Sequence, residues 1–79
     1  MTSLNYELGE LGLLLTSSDG EHVGDILTIS ERGRATEYVI DIIPRQGRGW
    51  RSRSYRSLEA AKYRALSEYI EMVDKEVGQ

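Results

Sequence analysis

Between residues 45 and 57 the chain reads Arg45-Gln46-Gly47-Arg48-Gly49-Trp50-Arg51-Ser52-Arg53-Ser54-Tyr55-Arg56-Ser57. This run holds five arginines and the only tryptophan, with no lysine and no acid. The chemistry open to it is recognition. Guanidinium groups are planar, stack on aromatic rings and grip carboxylates or phosphates through two parallel hydrogen bonds. On an extended strand Arg51 and Arg53 fall on one face, about 7 Å apart. Arg45 and Arg48 sit at the adjoining turn, Arg56 at the far end, and Trp50 and Tyr55 interleave. No lysine occurs before Lys62, whereas a plain solvated face mixes both bases. Arg45, Arg48, Trp50, Arg51, Arg53, Tyr55 and Arg56 are therefore the candidate partner-binding set. The competing reading is internal pairing of these arginines with the acids of the first 31 positions.

Other chemistries have little to build on. The only histidine, His22, falls in a predicted turn, close in sequence to Ser17, Ser18 and Asp19. Nucleophile–base pairs are assembled by geometry across a fold, not by neighbours in a turn, so an enzyme is not expected. With no cysteine, disulfides and thiolate metal sites are excluded. His22 with Asp19 and Glu21 is a poor ligand set, and no metal is expected. Neither a phosphate-binding glycine loop ending in Lys-Ser/Thr nor a three-glycine dinucleotide fingerprint is present, so no cofactor is expected.

Charge is segregated along the chain. Residues 1–31 carry six acids and no Lys or Arg; residues 32–56 carry seven arginines against Glu37 and Asp41; the remainder has three bases against five acids. The net charge of −3 hides a bipolar molecule, and that asymmetry is the strongest functional hint. The acidic third reads either as ordinary solvated surface or as a carboxylate patch for a partner's basic, nucleic-acid-binding surface. No apolar run approaches the roughly 18–20 residues of a membrane helix. Met1 to Glu10 has two acids and no base, unlike a signal peptide. A cytoplasmic protein without membrane contact is the expectation.

The elements that position these residues follow from periodicity. At 79 residues the chain is expected to be a single domain, 1–79. Leu4, Tyr6 and Leu8 alternate with polar residues as in a short strand, and Leu11 to Thr16 is a second short apolar run. Ser17-Ser18-Asp19-Gly20 is a turn. Val23 to Ser30 reads as a strand with Asp25, Leu27 and Ile29 on one face; Arg32-Gly33-Arg34 turns the chain. Thr36 to Pro44 is a strand apolar on both faces, with Tyr38, Ile40 and Ile42 opposite Val39, Asp41 and Ile43. Pro44 ends its regular pairing, and Gln46-Gly47-Arg48-Gly49 makes the next turn. Strict alternation over Trp50 to Arg56 puts Trp50, Ser52, Ser54 and Arg56 on one face and Arg51, Arg53 and Tyr55 on the other. Ser57 caps a helix from Leu58 to Val77, with Glu59 in its first turn and Gly78 as its stop. Leu58, Ala61, Ala65, Leu66, Tyr69, Ile70, Met72, Val73 and Val77 form one apolar arc, with Tyr63 and Ile70 at its shoulder. Glu71 and Lys75 form a favourable i, i+4 pair. The expected fold is α+β: an antiparallel meander of three to four strands with one C-terminal helix packed on one face.

From Thr36 onward, the strand, Gly49-Trp50-Arg51, the basic strand and Tyr55-Arg56-Ser57-Leu58-Glu59-Ala60-Ala61 opening a helix resemble the plant ethylene-responsive DNA-binding domain. The same stretch is similar to the arm-binding domain of phage integrases. The resemblance implies a sheet in the DNA major groove, with Trp50, Arg51 and Arg53 as contacts. The chain departs from those families in its acidic helix face, its net negative charge and its extra N-terminal segment. In size, charge segregation and freedom from cysteine, it also resembles the small phage-encoded anti-CRISPR inhibitors, which implies occlusion of a protein or nucleic-acid surface without catalysis. The expected function is thus a non-catalytic inhibitor or adaptor of a protein or nucleoprotein complex, with a DNA-binding module as the alternative.

Overall fold

The structure, a computed structural model, describes residues 3–43 and 49–77. Five strands, β1 (Leu4–Leu8), β2 (Gly12–Ser17), β3 (His22–Ile29), β4 (Glu37–Ile42) and β5 (Trp50–Tyr55), precede one helix, α1 (Leu58–Val77). The strands form an antiparallel meander in chain order, β1-β2-β3-β4-β5. The fold is α+β as expected, with five strands instead of three or four. Both short N-terminal runs become strands, joined by a hairpin whose ends are the glycines between them. Gly9 N–H donates to the Gly12 carbonyl at 2.7 Å. Gly12 has φ of 150°, and a Cβ there would lie 2.0 Å from the Ile26 carbonyl oxygen. Only glycine lets β2 approach β3 so closely.

Hydroxyl chemistry closes the next turn. Ser17 N–H donates to the Glu21 carbonyl at 2.9 Å, and Glu21 N–H donates to Ser17 Oγ at 3.2 Å. At the helix start, Ala60 N–H donates to Ser57 Oγ at 3.3 Å, satisfying one of the free donors of the first turn. The expected turn at Gln46–Arg48, the end at Pro44 and the stop at Gly78 lie outside the described residues, as do the side chains of the Glu71–Lys75 pair's basic member and of Val77.

The core lies between α1 and one face of the sheet. Leu4, Leu15, Val23, Ile26, Ile40 and Ile42 from the strands meet Ala61 and Ala65 from the helix, all buried. Two alanines let the helix backbone come close. Tyr38, Trp50, Tyr55, Leu58, Tyr69 and Met72 pack around them. Tyr6 ties the far edge strand to the helix: its hydroxyl donates to the Lys62 carbonyl at 3.2 Å, and the Lys62 ammonium lies 5.3 Å from its ring centre.

Two register shifts decide which side chains reach which face. In β3, Leu15 pairs with Gly24 and Thr16 with His22, leaving Val23 as the extra residue. In β5, Asp41 pairs with Arg51 and Val39 with Ser54, leaving Ser52 and Arg53 together against Ile40. Bulges of this kind locally break alternation. Ile40 N–H donates to Ser52 Oγ at 2.9 Å, and that hydroxyl donates to the Arg53 carbonyl at 2.6 Å. The Ser52 side chain thus serves the backbone group that the bulge displaces. The expected alternation of β5 is overturned by it. Tyr55 pairs with Tyr38 and packs on the helix side with Trp50, instead of sharing a face with Arg51.

Candidate binding face of the sheet

The described members of the sequence-predicted set do not share one face. Arg51 projects from the sheet face opposite the helix, where its Nη2 lies 3.4 Å from Asp41 Oδ2. The Arg53 guanidinium lies 5.7 Å from the centre of the Tyr55 ring. Trp50 is half-buried under the helix, with the Arg64 guanidinium 5.8 Å from its ring and Met72 beside it. Arg56 is exposed in the link before the helix cap. Arg45 and Arg48 lie outside the described residues. The described members therefore divide between the helix side, the opposite face and the sheet's end.

The face opposite the helix carries a different constellation. No element covers it among the described residues. Across β1 to β5, register aligns Glu7, Leu14, Asp25, Asp41 and Arg51. Asp25 and Asp41 stand directly opposite each other, an arrangement that disfavours pairing unless it is compensated. A hydrogen-bonding partner stands on each side. Arg51 bonds Asp41, and His22 Nε2 lies 3.1 Å from Asp25 Oδ1. The bulge at Val23 is what turns His22 onto the same face as Asp25. These pairs are exposed and each contributes little stability.

The next row is apolar. Leu27 and Val39 are register partners, Leu14 stands beside them, and all three are half-buried with no helix above them. Ile29 and Ile43 extend the patch at its ends, both exposed. Gly12, opposite Leu27, leaves an open cleft of about 420 Å³ lined by Leu11, Gly12, Leu14, Asp25 and Leu27. Glu7, Asp25, Glu37 and Asp41 frame this row, with Arg51 the arginine paired into it among the described residues. The face can bury apolar area and present carboxylates to a cationic surface. Its signal was present in the sequence as the Asp25/Leu27/Ile29 and Val39/Asp41/Ile43 alternations, but helix coverage was needed to show which face stays open.

Among the described residues no cluster of His, Asp or Glu could hold a metal ion, and no helix is long and apolar enough to cross a membrane. The chain matches no family model, no curated protein and no solved structure.

Proposed function

We propose that this chain is a small non-catalytic binding protein that occludes a surface of a nucleic-acid-handling complex, as the anti-CRISPR inhibitors it resembles do. One observation carries the reading: an uncovered sheet face in which the apolar patch of Leu14, Leu27 and Val39 is framed by Glu7, Asp25, Glu37 and Asp41. Apolar area supplies affinity on burial. The carboxylates select a basic partner surface, of the type that otherwise holds phosphates. His22 and Ser17, the residues nearest to a catalytic pair, are engaged by Asp25 and by the Glu21 backbone, which supports structural roles for both.

A major-groove DNA-binding role would need Trp50, Arg51 and Arg53 on one exposed face. Alternation puts Trp50 and Arg51 on opposite faces, the bulge interrupts the register between Arg51 and Arg53, and Arg51 is paired with Asp41, so this alternative has weaker support. Two assays separate the readings. The wild-type chain is immobilised in bacterial lysate beside an Asp25→Lys/Leu27→Lys variant. A nucleic-acid-binding protein held by the wild type, displaced by added DNA and not held by the variant is the expected result. Equal retention by both would contradict the open-face assignment. A gel shift at two salt concentrations tests the alternative: binding that weakens steeply with salt and disappears in Arg51→Ala/Arg53→Ala would support DNA as the ligand instead.

A further inference from the structure

The two edges of the sheet differ in kind. The β5 edge carries Arg51, Arg53 and a bulge, features that discourage strand addition. The β1 edge has no bulge, no proline and no base. At its end, Leu8 is 90% exposed. The bond from Gly9 N–H to the Gly12 carbonyl fixes the alternation along this hairpin. Asn5 and Glu7 point their backbone groups toward β2; Leu4, Tyr6 and Leu8 point theirs outward.

The helix is apolar on the same side. Lys62 lies over Tyr6 of β1, and Arg64 lies over Trp50 of β5, which sets the rotation of α1. At about 100° per residue, Tyr63, Leu66, Ile70 and Val73 then fall on the flank turned toward the β1 edge. Tyr63 is 75% exposed, and Leu66, Ile70 and Val73 are half-buried. The opposite flank, above β5, carries Arg64, Glu68 and Glu71.

We infer that the β1 edge and this helix flank form a homodimer interface, occupied by the same surface of a second copy. Self-complementarity is what selects a copy over another partner. When two β1 strands run antiparallel with Tyr6 on the two-fold axis, every outward group has a mate. Tyr6 faces Tyr6 of the second copy, and Leu4 faces its Leu8, each pair exchanging both N–H···O bonds. The exposed Leu8 side chain comes to rest against a Leu4 that is already part of the core. On the other face Glu7 stands opposite Asn5, so no like charges meet across the axis. The axis is perpendicular to the sheet, so both helices lie on one side of a continuous sheet with their apolar flanks facing each other. The charged binding face remains free and is doubled.

Sedimentation equilibrium at the highest soluble concentration tests this. The wild type is expected at twice the 9.0 kDa monomer mass. A Leu8→Lys/Tyr63→Lys variant is expected at the single-copy mass with unchanged circular dichroism and a cooperative melt. Register is read separately, because the native chain has no cysteine. An oxidised mixture of Asn5→Cys and Glu7→Cys chains is expected to form the mixed disulfide, their Cα atoms lying about 4.5 Å apart, whereas either chain alone is not. A wild type of single-copy mass overturns the inference. So does a dimer that survives the double lysine variant, or a mixture that cross-links no better than its components.

Discussion

Ile26 and Leu27 are neighbours in β3 on opposite faces, and truncating each to alanine separates the covered side of the sheet from the open one. Ile26 is wholly inaccessible and touches the core under α1. Its truncation removes buried methylenes and leaves a cavity, at a cost of about 2–5 kcal/mol. Leu27 is half-buried with no helix above it. Full burial of a leucine side chain is worth about 1.5–3 kcal/mol, so losing a half-buried one costs about 1 kcal/mol, with no enclosed cavity. The lower strand propensity of alanine acts on both and cancels in the comparison. A chain of 79 residues has a total stability of about 4–12 kcal/mol, so Ile26→Ala removes a large fraction of it and Leu27→Ala does not. At about 4–8 °C per kcal/mol, the expected fall in Tm is roughly 10 °C or more for the first and under 10 °C for the second. Urea titration followed by circular dichroism gives the same contrast as a difference in midpoint. Equal losses at the two positions would mean that the face bearing Leu14, Leu27 and Val39 is covered in the isolated chain, and would remove it as a binding face.

Three further outcomes follow from the local chemistry. Ser52→Ala leaves the Ile40 N–H without the acceptor that it has at 2.9 Å and is expected to cost about 1–3 kcal/mol; a urea midpoint equal to wild type would refute the role given to the bulge hydroxyl. Gly12→Ala forces a Cβ against the Ile26 carbonyl, so it is expected to lower Tm and to free the Thr28 amide, bonded to the Leu11 carbonyl at 2.8 Å, to faster hydrogen exchange; unchanged exchange would refute the close approach. Burial, reinforced by the Glu59 carboxylate, raises the Tyr6 hydroxyl above its ordinary value of 10.0. The folded state then holds this proton longer than the unfolded chain does, so the stability it contributes is complete below pH 10.0 and is lost as pH rises through the folded-state value. Urea midpoints of the wild type should therefore fall more steeply than those of Tyr6→Phe above pH 10.0, and parallel curves would refute this linkage.

Much of the fold is written in short-range pattern. The alternations in β3 and β4 follow from a period of two and the apolar arc of α1 from one of 3.6; Leu58, Ala61, Ala65, Leu66, Tyr69 and Met72 of that arc pack on the sheet as expected, and Ser57 caps the helix. What pattern alone does not reveal is the pair of bulges. An extra residue at Val23 or at Ser52–Arg53 looks like any other strand residue until a partner strand is laid beside it. Yet the second bulge sends Tyr55 to the helix side with Trp50 and leaves Arg51 with Asp41. The arginine-rich stretch was legible as composition, and its grouping into one surface was not. The open face has the opposite history. Its residues are spread over positions 7 to 51 with no single local motif, and register aligns Glu7, Leu14, Asp25, Asp41 and Arg51. Likewise, the close approach of β2 to β3 at Gly12 shows only when the two strands are laid side by side.

The most direct test of the open face is a methyl and amide NMR footprint of the labelled chain, recorded while the protein captured from lysate is added. Shifts or broadening centred on Leu14, Asp25, Leu27, Val39 and Asp41 are expected, with Ile26 and Ile40 changed little. A footprint centred on Arg53, Tyr55 and Arg56, with Leu27 and Val39 unmoved, would contradict it.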